Sequence, residues 1–117
     1  MKELNLKLLQ ELSENDKSVP LYKKIIKLQE EAGEVAQEFL AYDDKLNGIR
    51  TNSSKSAEGT LESILEETCD TINVAIDILN YIEMLPEFKE RFEEDFIEKL
   101  FTKKLEKWQS KQQNKVI

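Results

Sequence analysis

The sequence contains no histidine, one cysteine, two prolines and three glycines in 117 residues. Without imidazole, the serine and cysteine triads, the common zinc sites and di-iron sites built on Glu-x-x-His are all excluded. Cys69 stands alone, so it can form no intrachain disulfide and no cysteine-rich zinc site, and it reads as a small buried hydrophobe. Too few turn-forming residues are present for an all-β fold of many short strands. No apolar run approaches the ~18 residues of a membrane span, and Met1 to Gln10 alternates polar with apolar residues where a signal peptide needs an apolar core. A cytoplasmic protein with no membrane partner is expected.

What is present points to one compact helical domain spanning residues 1–117. Charged residues make up 35% of the chain and hydrophobic ones 39%, a balance that leaves enough apolar surface to offset the entropy of ordering. Acidic residues outnumber basic ones 24 to 17, for a net charge of −7. A broad phosphate-neutralising surface for nucleic acid is therefore not expected.

Apolar periodicity divides the chain into helices. Leu4, Leu8 and Leu12 mark a short amphipathic helix ending near Asn15. After Ser18 and Pro20, the residues Leu21, Ile25, Leu28, Ala32, Val35 and Phe39 recur at steps of four and three, one apolar stripe of a long second helix expected to face the core. From Asp43 to Gly59 the pattern dissolves into DDKLNGIRTNSSKSAEG, a polar loop carrying Lys45, Arg50 and Lys55 and long enough to suggest a functional role. Thr60, with Ser63 three residues on, caps a third helix that runs to Leu85 before Pro86. Its main stripe is Leu61, Leu65, Cys69, Ile72, Ile76 and Leu79. Val74 and Ile78 make the stretch from Thr71 to Ile82 apolar nearly all round, which in so small a domain implies cover by another subunit and hence a homo-oligomer. Beyond Pro86, Phe88, Phe92 and Phe96 set one face, and Ile97, Phe101, Leu105 and Trp108 a second, with a bend expected near Phe96. The charge switches there, from seven acidic and two basic residues between Glu83 and Glu98 to six lysines and one glutamate between Lys99 and Lys115. The expected fold is an all-α bundle of four to five helices.

Two successive helices each carry carboxylates three residues apart, and residues i and i+3 share a helix face. At ~100° per residue, Glu31, Glu34 and Glu38 line one flank of the second helix's apolar stripe, whereas Glu30 points away. On the third helix, Glu67, Asp70, Val74, Asp77 and Tyr81 form a stripe opposite the main apolar one, with Asn73 alongside. Asp70 and Asp77 thus interrupt an otherwise apolar helix, no lysine or arginine of that helix pairs with them, and buried charges persist only when paired or coordinated. Two carboxylates ~5 Å apart repel by roughly 3 kcal/mol at an effective dielectric of 20, so converging acids favour a divalent cation. With oxygen ligands alone the preferred ion is magnesium, then manganese, and magnesium typically joins substrate phosphates.

The motifs Glu30-Glu31-Ala32-Gly33-Glu34 and Glu67-Thr68-Cys69-Asp70, within KLQEEAGEVAQEFL and ILEETCDTINVAIDIL, resemble the E-E-x-x-E and E-x-x-D signature of the MazG-like nucleotide pyrophosphohydrolase superfamily. The resemblance covers about Leu21 to Ile82. It implies a helical homodimer or homotetramer that cleaves a nucleoside triphosphate to monophosphate and pyrophosphate, with magnesium held by Glu31, Glu34, Glu67 and Asp70. Around these, Glu30, Glu38, Asn73 and Asp77 are supporting candidates, and Lys104 and Lys107 are candidates for the triphosphate. The spacer between Glu34 and Glu67 is longer than is usual for the family, the surplus lying in the polar loop. Base and sugar preference stay open among canonical triphosphates, dUTP, dCTP and phosphoribosyl-ATP. A non-catalytic oligomerisation or regulatory bundle with solubilising acidic stripes is the alternative of a different class.

Overall fold

The computed structural model describes residues 1–48 and 57–114. All of its regular structure is helical among these residues: α1 (Leu6–Asn15), α2 (Leu21–Leu46), α3 (Leu61–Met84), α4 (Pro86–Arg91) and α5 (Phe96–Asn114). None of the helices is long and apolar enough to cross a membrane among the described residues. The chain forms two compact units, Met1–Tyr81 and Ile82–Ile117.

Local chemistry sets the helix ends. Asn5 caps α1, its side-chain oxygen accepting from the Leu8 amide at 3.1 Å, which satisfies one of the amides a helix start leaves free. Pro20 occupies the cap position of α2 in an extended conformation. At α3, Thr60 and Ser63 cap each other reciprocally, each amide donating to the other's hydroxyl at 3.0 Å. This is a capping box with serine in the usual glutamate position. Helix α2 runs through Asp43 to Leu46, so the polar connection begins four residues later than the sequence pattern suggests. The expectation for Arg50 and Lys55 lies outside the described residues.

In the first unit, the face that α2 and α3 turn to one another alternates apolar with charged residues. On α2 the positions Leu21, Lys24, Leu28, Glu31, Val35 and Glu38 are buried or half-buried, while Ile25, Ala32 and Phe39 are exposed. On α3, Ser63 is buried and Glu67, Val74, Asp77 and Tyr81 are half-buried, whereas Leu61, Leu65 and Cys69 are exposed. The helices run antiparallel, with rungs seven residues apart. Lys24 Nζ meets Asp77 Oδ2 at 2.7 Å, Glu31 lies near Glu67 and Asp70, and Ser63 Oγ donates to Glu38 Oε2 at 2.7 Å.

The expected apolar stripes face inward only in part. Leu21, Leu28 and Val35 of α2 and Ile72, Ile76 and Leu79 of α3 are half-buried, while Ile25, Ala32, Phe39, Leu61 and Leu65 are exposed, because Lys24 and Glu38 find partners on α3 and take seam positions between the apolar residues. Cys69, expected to be buried, is exposed.

Glu38 also fastens the approach to α3, accepting from the Gly59 amide at 2.8 Å and the Glu58 amide at 3.3 Å, while Lys45 donates to the Glu58 carbonyl. Gly59 has φ +64°, and a Cβ there would sit 2.9 Å from Ala41 backbone and side-chain carbons. Only glycine suits both that backbone and that close approach.

In the second unit, Phe88 is buried, and its ring lies 5.2 Å from Phe92 and 6.3 Å from Phe96, which stack on each other at 4.3 Å. The expected bend is a full break, with α4 ending at Arg91 and α5 starting at Phe96. Lys99 then bridges back to Glu93 and Asp95 at 3.1 and 3.3 Å.

Candidate metal centre

The middle rung of the α2–α3 seam brings three acids together. Glu31, Glu67 and Asp70 each offer a carboxylate oxygen, and these oxygens lie within 4.8 Å of one another. The burial is graded, with Glu31 buried, Glu67 half-buried and Asp70 exposed, so the cluster is walled on one side and open at Asp70. Helical spacing explains the convergence: Glu67 and Asp70 share a face of α3, and Glu31 sits at the facing position of α2.

Glu34 stands one turn from Glu31, is exposed, and hydrogen-bonds to Glu67 without contributing to the converging three. That hydrogen bond, reinforced by burial and by repulsion from Glu34, Asp70 and Glu31, pushes the Glu67 carboxyl up to about 7. Ionising Glu67 there would set its charge against those of neighbouring acids, which favours its neutral form.

The donors fit a hard divalent cation. Glu31 is 7% exposed, its Oε1 pairs with Lys27 Nζ at 2.9 Å, and its Oε2 is buried without a partner among the described residues. Glu67 Oε2 is orphaned in the same way. Buried carboxylate oxygens left unpaired cost free energy, and an all-oxygen set with no nitrogen or sulfur matches magnesium or manganese. Lys27, whose pKa is raised by its hydrogen bond and attraction to Glu31, is the cation at this cluster. The sequence pattern held a signal for it, since Lys27 and Glu31 are an i, i+4 pair.

Comparison with family models, curated proteins and solved structures finds no match to this chain.

The remaining candidates fall elsewhere. Glu30 is exposed. Glu38 is buried one rung along and serves the approach to α3, its pKa lowered first by the Ser63 hydrogen bond and then by the Gly59 amide. Asn73 is exposed. Asp77, for which α3 supplies no cation, is paired from α2 by Lys24, whose ammonium also lies 5.4 Å from the Tyr81 ring centroid. Asp77, expected to need a metal, is thus paired by a lysine of α2, which a wheel drawn on α3 alone cannot show. Lys104 and Lys107 are exposed on α5, in the second unit.

Proposed function

We propose that the chain is a magnesium-dependent nucleoside triphosphate pyrophosphohydrolase of the MazG-like kind, manganese being the substitute ion. The observation that carries this reading is the pair of buried, unpartnered oxygens on Glu31 and Glu67 beside Asp70. Glu31, Glu67 and Asp70 would hold the ion, with Glu34 joining through Glu67. When bound, magnesium supplies Lewis-acid polarisation of phosphate oxygens and offsets the charge of the leaving group.

The chain's own residues do the positioning. Asp70, at the open side, is where substrate phosphate approaches, and Lys27 can turn from Glu31 toward that phosphate because it is 55% exposed. Its stem is flexible enough for the change. Glu34, in contact with Glu67 and exposed to solvent, is placed to orient a water for attack on the α-phosphorus. The oxygen–phosphorus bond to the β-phosphate then breaks, giving monophosphate and pyrophosphate.

A homo-oligomer belongs to the same proposal. Among the described hydrophobic residues only Ala41 and Phe88 are buried, while Ile25, Phe39, Leu61 and Leu65 are 45%, 52%, 61% and 64% exposed. Apolar surface on that scale marks an interaction face.

The test is phosphorus NMR of canonical and modified triphosphates incubated with protein and magnesium in oxygen-18 water. Label in the nucleoside monophosphate, with pyrophosphate as co-product, is expected. Orthophosphate as first product, or label outside the monophosphate, overturns the reading.

A further inference from the structure

Two lysines of α2 reach acids of the α2–α3 seam, and they are held in opposite ways. Lys24 is 4% exposed and locked between the helices by Asp77. Lys27, one turn further along, is 55% exposed and meets its acid, Glu31, at 2.9 Å. That ion pair is the one contact between a cation and the acidic cluster among the described residues. It is also lopsided. Glu31 is 7% exposed, with Oε1 on the Lys27 ammonium and Oε2 enclosed without a partner. The carboxylate is the fixed half of the pair and the lysine the removable half.

A divalent ion and the Lys27 ammonium compete for the same carboxylate. Magnesium sits ~2.0–2.1 Å from its oxygen ligands, so an ion on Glu31 Oε1 lies within about 5 Å of an ammonium held 2.9 Å from that atom. Two positive charges that close repel strongly in a half-enclosed site, where the effective dielectric is well below that of water. Lys27 is the partner able to yield, because its stem is flexible and its head already borders solvent. An exposed lysine also gains little from one carboxylate, whereas a divalent ion engages Glu31, Glu67 and Asp70 together.

We infer that Lys27 is the resident counter-ion of the acidic cluster and competes with the divalent cation for Glu31. In the metal-free protein it offsets the charge of a buried carboxylate that has no other cation beside it. When the ion enters, the ammonium moves into solvent, and the cost of parting it from Glu31 lowers the affinity of the cluster for the ion. The lysine thus trades tight metal retention for a folded chain that tolerates exchange of its ion. The inference takes its ion from the proposed metal-dependent reading, and the competition from the Lys27–Glu31 geometry.

The experiment is calorimetric titration of magnesium chloride into the unmodified chain and its Lys27→Met, Lys27→Arg and Lys23→Met variants, at one fixed pH and ionic strength, with Tm recorded with and without magnesium. Lys27→Met keeps the stem and removes the charge. It should bind magnesium about tenfold tighter, and its Tm without magnesium should be lower than that of the unmodified chain. Lys27→Arg retains the charge and should bind magnesium no more tightly than the unmodified chain. Lys23→Met, at an exposed position one turn earlier, makes the same change in net charge and should leave the affinity within about twofold. Magnesium affinity that is unchanged or weaker in Lys27→Met overturns the inference and leaves the metal reading standing. Equal tightening in Lys23→Met overturns it as well, because the effect then belongs to net charge. No heat and no Tm response to magnesium in any of the four proteins removes the metal reading, and the competition with it.

Discussion

Lys24 Nζ lies 2.7 Å from Asp77 Oδ2 across the α2–α3 seam, with the lysine side chain 4% exposed and the aspartate 24%. A lysine so enclosed is tolerated only beside such a partner. The pair and the Glu38–Ser63 contact lie at opposite ends of the acidic cluster, each one rung away, so together they fix the register that sets Glu31 against Glu67 and Asp70.

Removing one partner should therefore destabilise more than removing both. Asp77→Ala is expected to cost about 3 kcal/mol, the low end of the range for broken buried pairs because Asp77 keeps some solvent contact. Lys24→Met with Asp77→Leu should recover most of that loss. Urea denaturation of the two variants measures the difference, and a double variant as unstable as the single one would refute the pairing as the main role of Asp77.

The acidic cluster should report a cation through stability. Magnesium binding only the folded chain raises Tm with concentration. Glu31→Gln, Glu67→Gln and Asp70→Asn should each abolish most of that rise, while Glu30→Gln, at an exposed position, should keep it. Differential scanning fluorimetry across magnesium and manganese concentrations is the measurement; loss of the response in Glu30→Gln to the same degree would disprove the assignment.

Proton linkage gives the cluster a pH signature. Glu67 holds its proton up to about 7, against an ordinary value of 4.5, chiefly through its hydrogen bond with Glu34. Between these values the folded chain carries a proton that the unfolded chain has shed, so the contribution of Glu67 is full below the lower value and disappears as pH rises through about 7. Glu38 acts in the opposite sense: its pKa is lowered, and its contribution is lost as pH falls through the carboxylate range. Without divalent cation, Tm should fall as pH rises from about 5 to about 8. Magnesium should restore it at the upper end, where Glu67 is ionised. Circular dichroism melts with and without magnesium test this, and a fall that persists unchanged in Glu67→Gln would assign it to another group.

Much of this was legible in the sequence, and the part that was not has a common cause. The helix limits followed from Asn15, Pro20, Thr60 with Ser63, and Pro86, because caps and breakers act locally. The pairing of Glu31 with Glu67 and Asp70 was also readable, since i, i+3 spacing places acids on one face. Orientation was not. Helix α2 has two candidate faces, the apolar one through Ile25 and Phe39 and the mixed one through Lys24, Glu31 and Glu38. The choice between them depends on Asp77 and Ser63, 53 and 25 residues away from their partners. Periodicity within one helix holds no information about such contacts. The burial of Ser13, which accepts from Asn80 Nδ2 of α3, was invisible for the same reason.

The outward apolar stripes lead to the last prediction. Phe39 on α2 and Leu65 on α3 are more than half exposed, and fully burying a side chain of that size contributes ~1.5–3 kcal/mol. Covering several such residues in the proposed interface between copies of the chain would add several times that amount. Val74 is half-buried, so the informative positions are Phe39 and Leu65. Phe39→Lys and Leu65→Lys should give monomers that keep their helix content, whereas Glu30→Lys, at an exposed polar position, should leave assembly intact. Sedimentation equilibrium at micromolar concentration is the measurement. A well-folded monomer in the unmodified protein would show that these faces stay open to water, and the assembly proposal would fall.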